Sequence, residues 1–280
     1  MPLVTIAIPI YNAGEYLREA ILSVINQTYK DWVLYLINDG STDNSLSIMQ
    51  EFPSLDSRIK IIDDGENKGL ITRLNQSVVM TSTKYYARMD ADDIMYITRI
   101  EEQVNFLESH PDVDVLGSSI MTIDRENRII GSGMSSGKVN GFVHPTVIGK
   151  TSWFKANPYC DWALRAEDFE LWSRTSVDSN FWALDKPLLF YREFGVPTTK
   201  KYIQSQKTLL KIYTRYNSYK KPFSWFIKNS LITLFKIMAY LLFDLFGRTD
   251  ILICKRHRKP LPPDKCLSKE DLMKSIYIEY

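Results

Sequence analysis

Asp90-Ala91-Asp92-Asp93 sets three carboxylates at the end of a strand-like run, Lys84-Tyr85-Tyr86-Ala87-Arg88-Met89. Carboxylates this close repel one another unless a cation or hydrogen-bond donors compensate them. An oxygen-only Asp-x-Asp set suits a hard divalent ion, Mg2+ or Mn2+, that also holds substrate phosphates. An isolated triplet of this kind reads equally well as a polar turn capping a helix. Two further acidic turns shift the balance towards chemistry: Asn38-Asp39-Gly40-Ser41-Thr42-Asp43 upstream and Glu167-Asp168 downstream. Each lies where a strand gives way to a loop or helix.

The elements that must position these turns follow from periodicity. Residues 4–10, 33–37, 59–62 and 84–89 read as strands. Residues 15–27, 43–52, 70–80 and 98–109 read as helices. Leu17, Ile21, Val24 and Ile25 share one face of the first helix, and Leu70, Ile71, Leu74 and Val78 one face of the third. Four strand–helix units in series predict an α/β fold with a mostly parallel central sheet covered by helices on both faces. Ligands of open α/β sheets bind at the carboxyl ends of the strands, which is where the first two acidic turns fall. The second half is less regular. Residues 113–117, 118–123 and 128–131 read as strands with a tight turn at 124–127, and the Gly/Ser-rich stretch 131–141 as a mobile loop. Residues 167–175 read as a helix, 181–184 and 188–192 as two short strands, and 200–217 as a basic helix.

Charge divides the chain. The net charge is only +2, yet residues 1–199 carry 18 Lys/Arg against 27 Asp/Glu, and residues 200–280 carry 17 against 6. A catalytic body (1–199) is thus expected to be acidic, with a helical, basic and amphipathic region (200–280) that meets an anionic surface, either membrane or nucleic acid. Within that region, Ile227, Leu231, Leu234, Met238, Leu241 and Leu245 fall on one helical stripe between basic clusters at 220–221 and 255–259. Charges at Lys228, Lys236 and Asp244 interrupt the about 20 predominantly apolar residues that a spanning helix requires. A helix lying in the membrane interface is therefore expected, nucleic acid not; the alternative is docking on the protein's own core. Cys160, Cys254 and Cys266 are too scattered for a disulfide framework or zinc site. Met1-Pro2 leads into a strand pattern rather than a secretory leader, so a cytoplasmic setting is expected.

Two common nucleotide signatures are missing. No Gly-x-Gly-x-x-Gly follows the first strand, and Gly149-Lys150-Thr151 echoes a phosphate loop whose first glycine is replaced by His144. What the chain does contain, in order, is Pro9-Ile10-Tyr11-Asn12, the 38–43 turn, Asn67-Lys68-Gly69 with Asn75, Tyr86-Ala87-Arg88-Met89-Asp90-Ala91-Asp92-Asp93, His144-Pro145-Thr146, and Ala166-Glu167-Asp168-Phe169-Glu170-Leu171-Trp172. Each piece is weak alone. The ordered set over roughly residues 3–195 resembles glycosyltransferase family 2, inverting enzymes with the glycosyltransferase-A fold.

The resemblance implies transfer of a sugar, with inversion, from a nucleotide diphosphate to an acceptor hydroxyl. Tyr11 and Asp39 match positions that hold the base; an Asp can accept the uracil ring N–H, which favours a UDP-sugar. Asp90 matches the ribose or metal-side carboxylate and Asp92 the direct ligand of Mn2+ or Mg2+. Lys68 and Arg73 are candidates for assisting the phosphates. Pro9, Asn12, Asn67, Ala91, His144 and Glu167 complete the implied nucleotide-sugar site. Asp168 matches the general base, with helix capping as its simpler role. Trp172 reads as core rather than a sugar platform. Two departures stand out. The Tyr-Arg-x-His run of many relatives is Tyr191-Arg192-Glu193-Phe194 here, which removes a metal-completing His, and Asn38 replaces the first Asp of the usual Asp-Asp-Gly-Ser run. The implied partners are a nucleotide-sugar donor, a glycan or lipid-linked glycan acceptor for surface glycan synthesis, and the inner face of the cell membrane. The competing reading is a nucleotide-sugar-binding protein without turnover.

Overall fold

The computed structural model describes residues 2–193, 198–220, 223–253 and 266–277, with the side chains of 217–220, 250 and 253 excepted. Phe194 and the basic cluster at 255–259 lie outside the described residues, as does Lys221.

In chain order the elements are β1 (Val4–Ile10), α1 (Leu17–Ile25), β2 (Trp32–Asn38), α2 (Ser45–Glu51), β3 (Ile59–Ile62), α3 (Leu70–Met80), β4 (Tyr85–Arg88), β5 (Ile94–Met95), α4 (Arg99–Ser109) and β6 (Val115–Ile123). Then come β7 (Ile129–Gly133), β8 (Gly137–Lys138), a single 3-10 turn at His144–Thr146, β9 (Ile148–Lys150), α5 (Thr151–Ala156), α6 (Glu167–Thr175), β10 (Phe181–Arg192), α7 (Thr199–Lys220), α8 (Phe223–Leu245), α9 (Asp250–Ile253) and α10 (Lys269–Ile276). Among the described residues one sheet forms in the order β3-β2-β1-β4-β9-β6-β10-β5, with β7 on β6 and β8 on β10. Strands β1, β2, β3, β4, β6 and β10 run in one direction, and β9 is antiparallel to both β4 and β6.

The sheet separates two apolar layers. Val4, Ile6, Ile8 and Ile10 pack with Leu17, Ile21 and Val24 of α1 on one side; Ala7, Ile37 and Tyr86 pack with Ile71, Leu74 and Val78 of α3 on the other. Each such side chain contributes about 1.5–3 kcal/mol by burial, so the N-terminal strand–helix units are held mainly by the hydrophobic effect. This two-sided burial explains why the β1 sequence is almost continuously apolar.

Two expectations are corrected, and the exclusion of a phosphate loop gains a physical reason. The stretches 181–184 and 188–192 form one strand, β10, which accommodates Pro187 through register shifts on either side of it. Part of the Gly/Ser-rich 131–141 stretch is strand, in β7 and β8. Gly149 belongs to β9, where a Cβ would meet the Asp114 carbonyl at 2.6 Å; close strand packing explains this glycine, not a phosphate.

Among the described residues, the region beyond residue 200 meets the body at two places. Ser205 Oγ and Thr208 Oγ1 on α7 donate to the carbonyls of Arg165 (3.1 Å) and Leu164 (2.9 Å), and the Tyr216 hydroxyl donates to buried Glu170 on α6. Leu267 and Leu272 join Ile94, Met121, Ile123 and Phe190 in a small core, and Asn26 Nδ2 donates to the carbonyls of Ser275 and Tyr277. Helix α8 packs on α7 through Thr233 and Tyr240, the latter stacked on Tyr202 at 3.9 Å. Its apolar stripe points away: Ile227, Leu231, Leu234, Met238, Leu241 and Leu245 are 42–79% exposed. Among the described residues α8 is the one helix long and apolar enough to cross a membrane.

Candidate active site

The carboxyl ends of β1, β2 and β4 carry the sequence-predicted residues. Parallel pairing sets Ile10 beside Asn38. The 11–14 loop is then stitched to the following turn: Ser41 Oγ accepts from Asn12 N (3.1 Å), Ser45 Oγ from Ala13 N (2.9 Å), and Asn12 Oδ1 from Thr42 N (2.8 Å). Asn12 takes a left-handed φ of 51° to make this fit. Asn12 is thereby a loop-shaping residue, and Tyr11 beside it is exposed. The change from Asp to Asn at 38 has a local reason: Asn38 Nδ2 donates to Asp63 Oδ1 at 2.9 Å, where a second carboxylate would be repelled.

Asp39 is nearly buried. Its Oδ1 accepts from Lys68 N (2.7 Å), Gly69 N (3.1 Å) and Arg73 Nε (2.9 Å). Gly40, at φ +65°, lets this turn approach the 66–67 backbone; a Cβ would lie 2.8 Å from Asn67 N. Arg73 is fully buried and spends its guanidinium on Asp39, Asp64, Gln76 and the Glu66 carbonyl. Those contacts use all five of its N–H donors. The expectation that Arg73 assists the phosphates is corrected accordingly: it fixes Asp39 and the 64–69 loop. Lys68 Nζ lies 2.7 Å from Asp64 and 3.0 Å from Glu66, and Asn67 is an exposed residue of the same loop.

At the end of β4, one oxygen each from Asp90, Asp92 and Asp93 lies within 4.8 Å of the others. Three buried guanidiniums stand behind them. Arg88 pairs with Asp90, Arg99 bonds the Arg88 carbonyl (3.1 Å), and Arg192 donates from Nε to the Asp92 carbonyl (2.8 Å) and from its backbone N to Asp93 Oδ1 (2.9 Å). Burial, with repulsion from neighbouring carboxylates, pushes Asp92 and Asp93 above the usual carboxylate range, and burial pulls Arg99 down to about 9. Asp93 Oδ2 is buried with no hydrogen-bond partner. An oxygen-only cluster with one unsatisfied buried oxygen fits a Mg2+- or Mn2+-sized cation. Asp93 shows in the sequence as the third carboxylate of the turn, whereas none of the three arginines carries a site role there. Arg88 alone had a local signal, two residues from Asp90 on a strand and so on the same face.

Across from this cluster lies the start of α6. Asp168 is half-buried and its Oδ1 accepts from Phe169 N at 2.7 Å. Burial raises its pKa, and burial with the Asp168 charge raises that of Glu167 to about 7. His144 Nε2 and the Tyr159 hydroxyl are 2.8 Å apart. Burial and the Arg88 charge hold His144 well below its usual pKa, hence neutral. Asn75 fixes Tyr159 by exchanging two hydrogen bonds of 2.9 Å with its backbone. Trp172 lies in the aromatic core, ring centroids 6.3 Å from Trp153 and 5.5 Å from Phe181.

Two cavities connect these parts. One of about 630 Å3 is lined by Pro9, Tyr11, Asn12, Asp90, Ala91 and Asp92, joined by Arg125 and Arg165. One of about 270 Å3 is lined by Arg88, Asp90, His144, Glu167 and Asp168. Leu70 and Asp90 line both. Asp39, Asn67, Lys68 and Arg73 line neither.

The family model for glycosyl transferase family 2 matches residues 5–166. The chain belongs to this family. The matched span holds the acidic turn and His144; Glu167 and Asp168 begin one residue beyond it, and Arg192 lies further on. An uncharacterized glycosyltransferase from Haemophilus influenzae is 36% identical over 236 residues, covering 77% of this chain and 73% of that protein. Another from Methanocaldococcus jannaschii is 30% identical over 229 residues, covering 77% and 78%. Among solved structures, S. aureus TarS in complex with UDP-GlcNAc superposes with a TM-score of 0.66 at 16% identity, over 84% of this chain and 72% of that one. The mannosyltransferase PcManGT from Pyrobaculum calidifontis, in complex with GDP-Man and Mn2+, superposes with a TM-score of 0.60 at 14% identity, over 98% and 86%. At such identities the likeness establishes the glycosyltransferase-A fold.

Proposed function

We propose that this glycosyltransferase moves a sugar, with inversion, from a UDP-sugar to a saccharide or lipid-linked saccharide in surface glycan synthesis, using Mn2+ or Mg2+. The observation that carries the reading is Asp90, which lines both the cavity holding Asp92 and Tyr11 and the one holding Asp168. A diphosphate bound at Asp90 and Asp92 would thereby leave the sugar between the cation and the base. The cation, when bound, would neutralise charge on the leaving nucleotide. Asp168, kept basic by its raised pKa, takes the proton of the acceptor hydroxyl as the new bond forms. His144, a poor proton acceptor because burial and Arg88 hold its pKa well below the usual value, and buried Arg88 shape the acceptor-side cavity. The UDP preference is supported by Asp39, whose Oδ2 has one protein donor, Gly69 N at 3.0 Å, and retains acceptor capacity.

The same proposal puts the protein at the inner face of the cell membrane, with α8 supplying the contact. Support comes from the exposed stripe 227–245 and from the basic balance of residues 200–280. The test of the function is a screen of nucleotide sugars for binding with and without Mn2+. A UDP-sugar that binds more tightly with Mn2+ supports the reading. Binding of no nucleotide sugar, or equal binding with and without the ion, rejects it.

A further inference from the structure

Arg192 is the most highly connected charged side chain behind the acidic turn, and it lies on a strand about a hundred residues away in sequence. Its side chain is wholly buried. Nε donates to the Asp92 carbonyl (2.8 Å), Nη1 to the Asp124 carbonyl in the β6–β7 turn (2.9 Å), and Nη2 to Glu19 Oε2 on α1 (2.9 Å). Its guanidinium sits 4.2 Å from the centre of the Tyr16 ring, and Tyr16 lines the larger cavity. Its backbone N donates to Asp93 Oδ1 (2.9 Å).

We propose that Arg192 is a positioning residue that holds the Asp92-Asp93 turn in the geometry a divalent cation requires. The inference rests on the cation reading of that turn. The physical basis is preorganisation. Carboxylates that must converge on one ion repel each other, and a turn free to relax would spread them apart. The Arg192 guanidinium grips the turn at the carbonyl of Asp92, while its backbone N, which any residue here would keep, holds the carboxylate of Asp93. It anchors that grip to α1 and to the β6–β7 turn, so the turn cannot move without disturbing three other elements. A planar guanidinium can reach these directions at once, whereas an ammonium is a point charge on a flexible stem. Groups that orient metal ligands in this way typically contribute about 10–100-fold in metal affinity.

The test is Mn2+ titration of the full chain, followed by electron paramagnetic resonance, with UDP affinity measured separately in metal-free buffer. Arg192→Lys is expected to weaken Mn2+ binding about tenfold or more while metal-free UDP binding stays within about twofold. A folded Arg192→Lys protein with wild-type Mn2+ affinity overturns the proposal, as does an equal loss of metal-free UDP binding, which marks a general structural role. Should Arg192→Lys not fold, Glu19→Ala decides: it removes the Nη2 anchor together with the bond from Asn127 Nδ2 to Glu19 Oε1 (3.0 Å), leaves the Asp92 contact, and is expected to weaken Mn2+ about threefold to tenfold with UDP binding unchanged. Unchanged Mn2+ affinity in Glu19→Ala then overturns the proposal. A wild-type protein that binds no Mn2+ removes the cation reading itself, an outcome distinct from a wild-type protein that binds the ion and variants that bind it equally well.

Discussion

The floor of the site and helix α8 solve opposite problems. The floor buries charge: Asp39, Asp93, Arg73, Arg88, Arg99 and Arg192 are almost inaccessible to solvent, and most of their polar atoms have a protein partner, although Asp93 Oδ2, Arg88 Nε and Arg99 Nη1 have none. Helix α8 exposes apolar surface, six apolar side chains on one stripe that are 42–79% exposed. Burying a charge is tolerated only where partners compensate it, so the floor's side chains define positions. Exposing an apolar face is tolerated only where a partner covers it, so α8 marks a contact. A substitution in the floor should therefore act on chemistry or folding, and one on the α8 stripe on where the protein sits.

The largest effect expected in the floor and its facing wall is at the base. Asp168→Asn keeps the shape and removes the proton acceptor, so turnover should fall roughly 10²–10⁴-fold while UDP and Mn2+ binding are retained. Near-normal turnover would transfer the role to Glu167. Next comes Arg73→Met, which leaves Asp39 and Asp64 without their shared cation. Removing one member of a buried ion pair costs about 3–5 kcal/mol, readable by urea denaturation. A loss below about 1 kcal/mol, together with weaker UDP binding, would restore Arg73 to a direct ligand role.

A subtler expectation concerns pH. The base works only when ionised, and burial raises both Asp168 and Glu167, the latter to about 7. Arg88 opposes the rise for both carboxylates, and Asp90 adds to it. Activity should therefore begin to fall on acidification at a pH above the ordinary carboxylate pKa of about 4. The kcat/KM profile reads this directly; an acid limb at about pH 4 would place the base in a more solvated setting. The smallest effect on the fold is expected on α8. Leu231→Ser combined with Met238→Ser changes exposed positions, so stability should shift by no more than about 0.5 kcal/mol per site. Co-sedimentation with anionic vesicles should drop. Unchanged vesicle binding with a large loss of stability would make α8 a helix packed on its own chain.

Legibility in the sequence follows the range of the forces involved. Units β1 to α4 were readable because each has its own apolar period, and α3 has the bounds that period predicts. Elements β5 and β9 have two and three residues, too few for any period, and exist because neighbouring strands pair with them. Asp185, Lys186 and Pro187 look like a turn in the sequence, yet β10 runs through them because β6 pairs with it on both sides. Among the site residues, the carboxylates were legible from their clustering. Arg192 was seen only as a motif letter, since its contacts with Glu19, Asp92 and Asp124 join segments far apart in the chain. The assignment of Arg73 to phosphate failed for the same reason: Asp39 and Asp64 meet it only in the folded protein.

The central claim is that the turn at Asp90, Asp92 and Asp93 holds a cation that in turn holds the donor's diphosphate. Isothermal titration of UDP, with and without Mn2+, into wild-type protein and Asp92→Ala tests it most directly. The account predicts that Mn2+ tightens UDP binding in the wild type and that Asp92→Ala abolishes this gain while leaving metal-free binding close to wild type. Equal Mn2+-dependent tightening in the two proteins would contradict it.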